Sequence, residues 1–139
     1  MKGTILLAVD HAKVSDRAAE LVTDLASTGG NDVVVLHVHQ LAIGSWGRWD
    51  IDPEAESGCP GDIIGKQLTA AGLHVTATKI GVAVGHVAAE IVRVADRCDA
   101  ALIVLGTRNE SDLSSMTLGS TSHKVLHLAH RPVLLVPAE

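Results

Sequence analysis

The residue types best suited to chemistry lie in the C-terminal third of the chain, at two glycine positions. Gly106 ends an apolar run, where a missing side chain lets a ligand approach the backbone. Gly119, Ser120 and Thr121 open a predicted helix, whose free amides and dipole favour an anion. Arg108 can add a positive charge beside a phosphate. The segment therefore predicts a phosphate-binding cradle, although a tight turn followed by a simple helix cap would use the same residues.

The eight histidines of the chain suggest a metal site as a second kind of chemistry. His37 and His39 lie two apart on a predicted strand and point to the same face. His123, His127 and His130 lie near one face of a predicted helix. Zinc accepts imidazole ligands, but no cysteine or carboxylate completes an obvious set. We therefore favour dispersed histidines and predict no metal held by protein side chains.

The sequence contains no defensible arrangement of a nucleophile and a base. Ser114, Ser115 and Ser120 have no partner histidine and aspartate at informative spacing. Three acidic residues recur at intervals of four along the first predicted helix, which is typical of a solvated face. We predict no catalytic residues and expect that the protein is not an enzyme.

The elements that must position the candidate cradle alternate between strand and helix. Apolar runs predict five strands, at 4–9, 32–38, 74–80, 100–105 and 132–136, with helices between them. This alternation predicts a Rossmann-like α/β fold, a single open and mainly parallel five-stranded sheet in the order 3-2-1-4-5, with helices on both faces. Ligands of such sheets bind beyond the carboxyl ends of the strands, where the strand order reverses.

Length and composition predict one domain over residues 1–139, with one irregular segment. Residues 40–65 are rich in glycine and hold both tryptophans, two prolines and an acidic patch. Such a composition predicts a long mobile loop. The chain as a whole has 47% apolar and 19% charged residues, which is typical of a folded protein.

Charge and cysteine content exclude several classes of protein. A net charge of −5 and only two aromatic side chains, Trp46 and Trp49, argue against a nucleic-acid-binding protein. No apolar run approaches the roughly 20 residues that span a bilayer, and no signal-peptide pattern opens the chain. Cys59 and Cys98 are too few for a disulfide scaffold. We therefore expect a cytoplasmic protein without a membrane or nucleic-acid partner.

The C-terminal segment resembles the nucleotide-binding signature of the universal stress protein family. That signature is a glycine, two residues, a second glycine, nine residues, a third glycine and then Ser or Thr. Gly106, Gly119 and Ser120 are in register with it, and Asn109 replaces the second glycine. Asparagine is the next-best residue for a left-handed backbone. The resemblance covers nearly the whole chain, including ILLAVD, GHVAAEIV, DAALIVLG and RPVLLVPAE in that order.

The resemblance implies a role for each matching position. Asp10 would meet the adenosine part of a nucleotide, or would cap the loop after the first strand. Ala8 and Val38 would line the adenine pocket, although both suit a plain core equally well. Leu105 would pack against the nucleoside. The residues implied to face the phosphates form two groups: Gly106, Arg108 and Asn109, and Gly119, Ser120 and Thr121.

The function implied is that of a stress-response regulator that binds an adenine nucleotide. ATP is the favoured ligand, with Mg²⁺ or Mn²⁺ bridging its phosphate oxygens, and at most a weak ATPase activity is expected. Family members pair their last strands across a two-fold axis. The apolar strand from Pro132 to Val136 therefore predicts a homodimer, unless a loop covers that edge. The protein partner that such a regulator would act on is unknown.

Two alternatives remain beside this function. Because Asn109 departs from the signature, the chain could belong to a branch of the same family that binds no nucleotide and acts as a dimeric interaction module. An adenylating enzyme of the related adenine-nucleotide α/β hydrolases is disfavoured. Such enzymes carry a Gly/Ser-rich loop after the first strand, where this chain reads DHAKVS.

Overall fold

The structure is a computed structural model with six strands and four helices among its described residues. It describes residues 2–9, 12–44, 47–50, 60–83, 86–107 and 120–137. The strands are β1 (Thr4–Val9), β2 (Val33–Gly44), β3 (Gly47–Asp50), β4 (Val75–Ala83), β5 (Ala100–Thr107) and β6 (Val133–Pro137). The helices are α1 (Ala12–Gly29), α2 (Pro60–Ala70), α3 (Val87–Arg97) and α4 (Ser120–Leu128).

The sheet has β1 at its centre, and its parallel strands run in the order β4-β2-β1-β5-β6. If the five parallel strands alone are numbered in chain order, β1, β2, β4, β5 and β6 become strands 1 to 5, and their order in the sheet is 3-2-1-4-5. This is the predicted order, so the fold prediction is confirmed. Ile5, Leu6 and Leu7 of β1 are fully buried. A central strand of a parallel sheet is covered on both faces, which explains why its run of apolar residues is continuous rather than alternating.

Helices cover the sheet on both faces and divide the core into two layers. Side chains of α1 and α2 pack on one face, where Val22, Ile64 and Leu68 are buried. Side chains of α3 and α4 pack on the other, where Ile91 and Val125 are buried. The apolar stripe of each helix sets which side of that helix packs on the sheet. The right-handed crossover sets which face of the sheet the helix covers. None of the helices in the described ranges is long and apolar enough to cross a membrane.

The prediction of an irregular loop over 40–65 is wrong for the described residues 40–44, 47–50 and 60–65, which form strands and a helix. Instead, β2 continues to Gly44, where it pairs antiparallel with β3, and α2 begins at Pro60. Residues 51–59 lie outside the described residues. Residues 40–65 include the end of β2, the whole of β3 and the start of α2, so their overall composition describes none of these elements. Gly44 faces Gly47 at the end of a hairpin ladder, a place where glycine is favoured rather than disruptive.

A network around Arg131 joins the chain before β6 to the turn before β5. The guanidinium donates hydrogen bonds to Asp99 (3.0 Å), to Asp96 (3.2 Å) and to the carbonyl oxygen of Ala100 (2.9 Å). The hydrogen bonds that Arg131 donates to Asp99 and, second in effect, to Asp96 raise the pKa of Arg131 above its ordinary value. Because the charge is kept, these contacts hold the start of β6 against β5 and so set the edge of the sheet.

Candidate functional site

The carboxyl ends of β1 and β5 lie side by side at the point where the strand order reverses. Ala8 is the register partner of Leu105 on β5 and of Leu36 on β2. The chain leaves β1 towards α1 and leaves β5 towards α4, so the two connections depart on opposite sides of this point. This is the crevice in which open α/β sheets bind ligands.

Three predicted pocket residues share one face of the sheet beside this crevice. Val38 and Leu105 are buried in the core layer beneath α3 and α4, and Ala8 packs against the same layer. Their position on one face follows from alternation along adjacent strands in register. All three side chains are apolar. Val38 and Leu105 are buried and contribute to the core, and Ala8 is half-buried.

Within the described residues, the first turns of the two helices that flank the crevice carry no acidic side chain. Neither α1 nor α4 has an acidic residue in its first turn, whereas α2 has Asp62 and α3 has Glu90 there. The first amides of a helix lack acceptors within the helix, and its dipole favours an anion at that end. Since the helices cross back to the amino edge of a parallel sheet, both N-termini lie at the carboxyl edge. This electrostatic arrangement suits a phosphate group.

The predicted phosphate cradle is described only in part. On one side, Gly106 and Thr107 close β5, with Gly106 opposite Val136 of β6. On the other, Ser120 is the first residue of α4, followed by the half-buried Thr121. The remaining predicted site residues lie outside the described residues: Asp10, Arg108, Asn109 and Gly119. The convergence of 106–109 with 119–121 therefore stays a prediction.

The short strand β3 is a feature of this edge that sequence reasoning missed. Leu41 of β2 is the register partner of both Ala83 on β4 and Asp50 on β3. A strand has two edges, so β3 occupies the edge of β2 that β1 uses over 33–37. Consequently β3 lies beyond the carboxyl end of β1, at the same edge of the sheet as the crevice. Gly44 and Gly47, spaced for a hairpin, were the signal available in the sequence.

The histidine pair on β2 lies on the face opposite to Val38. His37 is fully buried, and its ring centroid is 5.9 Å from that of His39. Alternation along β2 directs both rings to the side of Val33 and Val35, which pack with α1 and α2. In the ranges that the structure describes, no group of three or more His, Cys, Asp or Glu side chains could hold a metal ion.

A comparison with models of protein families identifies the family of this chain. The model of the universal stress protein family matches residues 1–137. The chain belongs to the universal stress protein family. It is similar to the universal stress protein YxiE of Bacillus subtilis (strain 168), with 31% identity over 151 residues that cover 98% of this chain and 99% of the relative.

Solved structures of other universal stress proteins have the same fold. One, a universal stress protein in complex with cAMP, superposes with a TM-score of 0.73 at 20% identity, covering 99% of this chain and 98% of that one. Another is the universal stress protein from Archaeoglobus fulgidus in complex with dAMP. It has a TM-score of 0.68 at 22% identity and covers 96% of this chain and 97% of its own. At these identities the likeness establishes the fold of this family member.

Proposed function

We propose that this universal stress protein binds an adenine nucleotide, with ATP as the favoured ligand, and acts as a stress-response regulatory protein. The observation that carries the proposal is the pairing of Ala8 with Leu105. That pairing sets an apolar surface beside two helix N-termini whose first turns carry no acidic residue. Two solved relatives of the same fold, in complex with cAMP and dAMP, support the choice of an adenine nucleotide.

The described residues fit the two chemically different halves of such a ligand. Ala8, Val38 and Leu105 would contact the adenine and its sugar, because they are apolar and share one face. The amides of Ser120 and Thr121 would donate to phosphate oxygens. A Mg²⁺ or Mn²⁺ ion would arrive with the triphosphate and neutralise part of its charge. Asp10 would meet the adenosine, and the 106–109 turn would close the phosphate side.

We propose that occupancy, rather than turnover, transmits the signal. On the proposed phosphate side, the described residues Ser120 and Thr121 carry only hydroxyl groups, which are poor general bases, so hydrolysis would be slow at most. Binding would order the 106–121 segment and alter a surface offered to a partner protein. A cytoplasmic location is part of the proposal, and the presence of only two cysteines supports it.

Adenine nucleotides are expected to stabilise the purified protein. With ATP and Mg²⁺ at about 100 times the dissociation constant, linkage gives about 2.7 kcal/mol, which for a domain of this size raises Tm by about 5–10 °C. Differential scanning fluorimetry with ATP, AMP, cAMP, dAMP and GTP measures the effect. GTP is the matched control for non-specific phosphate binding, and it should shift Tm much less.

A second measurement guards against nucleotide already bound during purification. The protein is denatured, and the supernatant is analysed by chromatography for adenine nucleotides. If no nucleotide is released and no added nucleotide shifts Tm, the nucleotide-binding proposal is wrong. The dimeric interaction module of the same family is then the function that remains.

The homodimer is a separate proposal and concerns the free edge of β6. Among the described strands, β6 pairs only with β5. Its Val133, Leu134 and Leu135 are only half-buried, although all three pack against the core. An apolar edge strand with unpaired backbone groups is a template for pairing with another chain. We propose that two copies join β6 to β6 across a two-fold axis.

Replacing Leu135 with proline is expected to convert this dimer to a monomer. The carbonyl oxygen of Pro132 accepts from the amide of Ile103 on β5. Because backbone groups alternate sides along a strand, the amide of Leu135 points to the free edge. Proline removes that donor and leaves the β5–β6 ladder intact. Light scattering after size exclusion measures the mass.

The matched control is Leu135→Ala, which removes most of the same side chain but keeps the amide. It should remain dimeric. A Leu135→Pro protein that stays dimeric would place the interface elsewhere, and a wild-type protein that is monomeric at micromolar concentration would refute the dimer.

A further inference from the structure

The exposed face of α4 carries two imidazoles that meet one helical turn apart. His123 and His127 are both exposed, and their Nε2 atoms are 3.1 Å apart. The ring centroids are 4.6 Å apart, with the planes inclined by 73°. Without a metal, one ring must donate and the other accept for the two nitrogens to approach this closely. A change of tautomer in the donor ring would free its Nε2 lone pair as well, which would leave two imidazole ligands side by side.

The spacing of the two nitrogens matches a chelate. At a metal–nitrogen distance of about 2.0–2.1 Å, two nitrogens 3.1 Å apart subtend an angle of about 95–102° at the metal. This angle lies between the roughly 90° of octahedral or square-planar sites and the roughly 109° of tetrahedral ones. The backbone of α4 therefore already holds both imidazoles within reach of one ion, and rotation about the side-chain torsions turns each lone pair towards it.

We propose that His123 and His127 form a surface chelating site on α4 for a divalent first-row transition metal. Imidazole ligands suit Cu²⁺, Ni²⁺ and Zn²⁺, and the general affinity order places Cu²⁺ first. The described residues supply no third ligand to complete the site. Water or another molecule therefore occupies the remaining positions, and the bound metal stays open to exchange. Hard cations such as Mg²⁺ prefer oxygen ligands and do not bind here.

This site is distinct from the proposed nucleotide site in position and chemistry. His123 is the fourth residue of α4, and His127 lies a further turn along it. The ion expected with a nucleotide sits instead among phosphate oxygens before the first turn of the helix. Because the chelate spans successive turns, it forms only when α4 is helical, so metal binding stabilises the folded protein.

Titration of the untagged full-length protein with Ni²⁺ by isothermal calorimetry tests the site. We expect one tight site per chain and tighter binding of Cu²⁺ in the same assay. His127→Gln removes one arm of the chelate, so the second imidazole no longer benefits from its high effective concentration. The affinity should fall on the order of 100-fold. His123→Gln should do the same.

Two control variants separate the chelate from a simple count of histidines. His74→Gln removes an exposed histidine far from α4 and should leave the affinity unchanged. The double variant His127→Gln/Leu128→His keeps eight histidines but moves one about 100° round the helix, so it should bind as weakly as His127→Gln. Unchanged Ni²⁺ affinity in His127→Gln, or an equal loss in His74→Gln, would overturn the proposal. Circular dichroism confirms that each variant is folded.

Discussion

Replacing Gly119 with valine is expected to lower the affinity for ATP by about 100-fold or more, which corresponds to the loss of one to two hydrogen bonds to a charged group. Gly119 directly precedes Ser120, the first residue of α4. A branched side chain there would fill the space in which phosphates meet the first amides of the helix. Adenosine, which has no phosphate, should lose far less affinity.

The matched control for this change is Gly81→Val. Gly81 is an exposed residue of β4. In the order of parallel strands β4 lies at one edge and β6, the strand that follows α4, lies at the other. Both variants make the same chemical change, and urea unfolding checks that both are folded. Fluorimetric titration with ATP and with adenosine gives the two affinities. If Gly119→Val binds ATP with the affinity of the wild type, the predicted position of the phosphates is wrong. That result would leave the proposal of nucleotide binding itself standing.

Replacing Ile103 with alanine is expected to destabilise the protein by about 2–5 kcal/mol. Ile103 is 0% exposed and lies on β5, beside β1 and beneath α3 and α4. Removing three buried carbons loses their transfer free energy and leaves a cavity that the surrounding sheet cannot fully close. Since natural domains have about 5–15 kcal/mol in total, this is a large share of the stability.

The matched control is Ile63→Ala, the same change on the outer surface of α2. Ile63 is 55% exposed, so the free energy of unfolding should change by less than about 0.5 kcal/mol. Urea denaturation followed by circular dichroism measures both variants. A loss at Ile103 no larger than the loss at Ile63 would contradict the position of β5 in the core. Because β5 ends at Thr107, nucleotide affinity should also weaken in Ile103→Ala if the site depends on this strand.

The order of the strands and the crevice were predictable from the sequence. The runs that form β1 and β5 are apolar without interruption, and a segment of that kind is stable only when buried on both faces of a parallel sheet. Alternation with helices then restricts the crossovers, which leaves few topologies. Gly106 and Ser120 were recognised because a strand end and a helix start carry local signals. The roles of Asp10 and Arg108 stay predictions from the resemblance, since both lie outside the described residues.

The hairpin of β2 and β3 and the imidazole pair on α4 required the tertiary structure. Glycine-rich sequence around Gly44 and Gly47 fits a loop as well as a tight hairpin, and only pairing with a free edge of β2 decides between them. Likewise, a four-residue spacing places His123 and His127 on one helical face but does not set their rotamers.

What the sequence by itself determined about this protein is therefore the order of its five parallel strands and of the helices between them, because spacing and polarity act over a few residues. The tertiary structure decided which edges pair and which side chains meet. Those outcomes depend on the competition among distant segments for the same strand edge and the same packing space, and no local pattern records that competition.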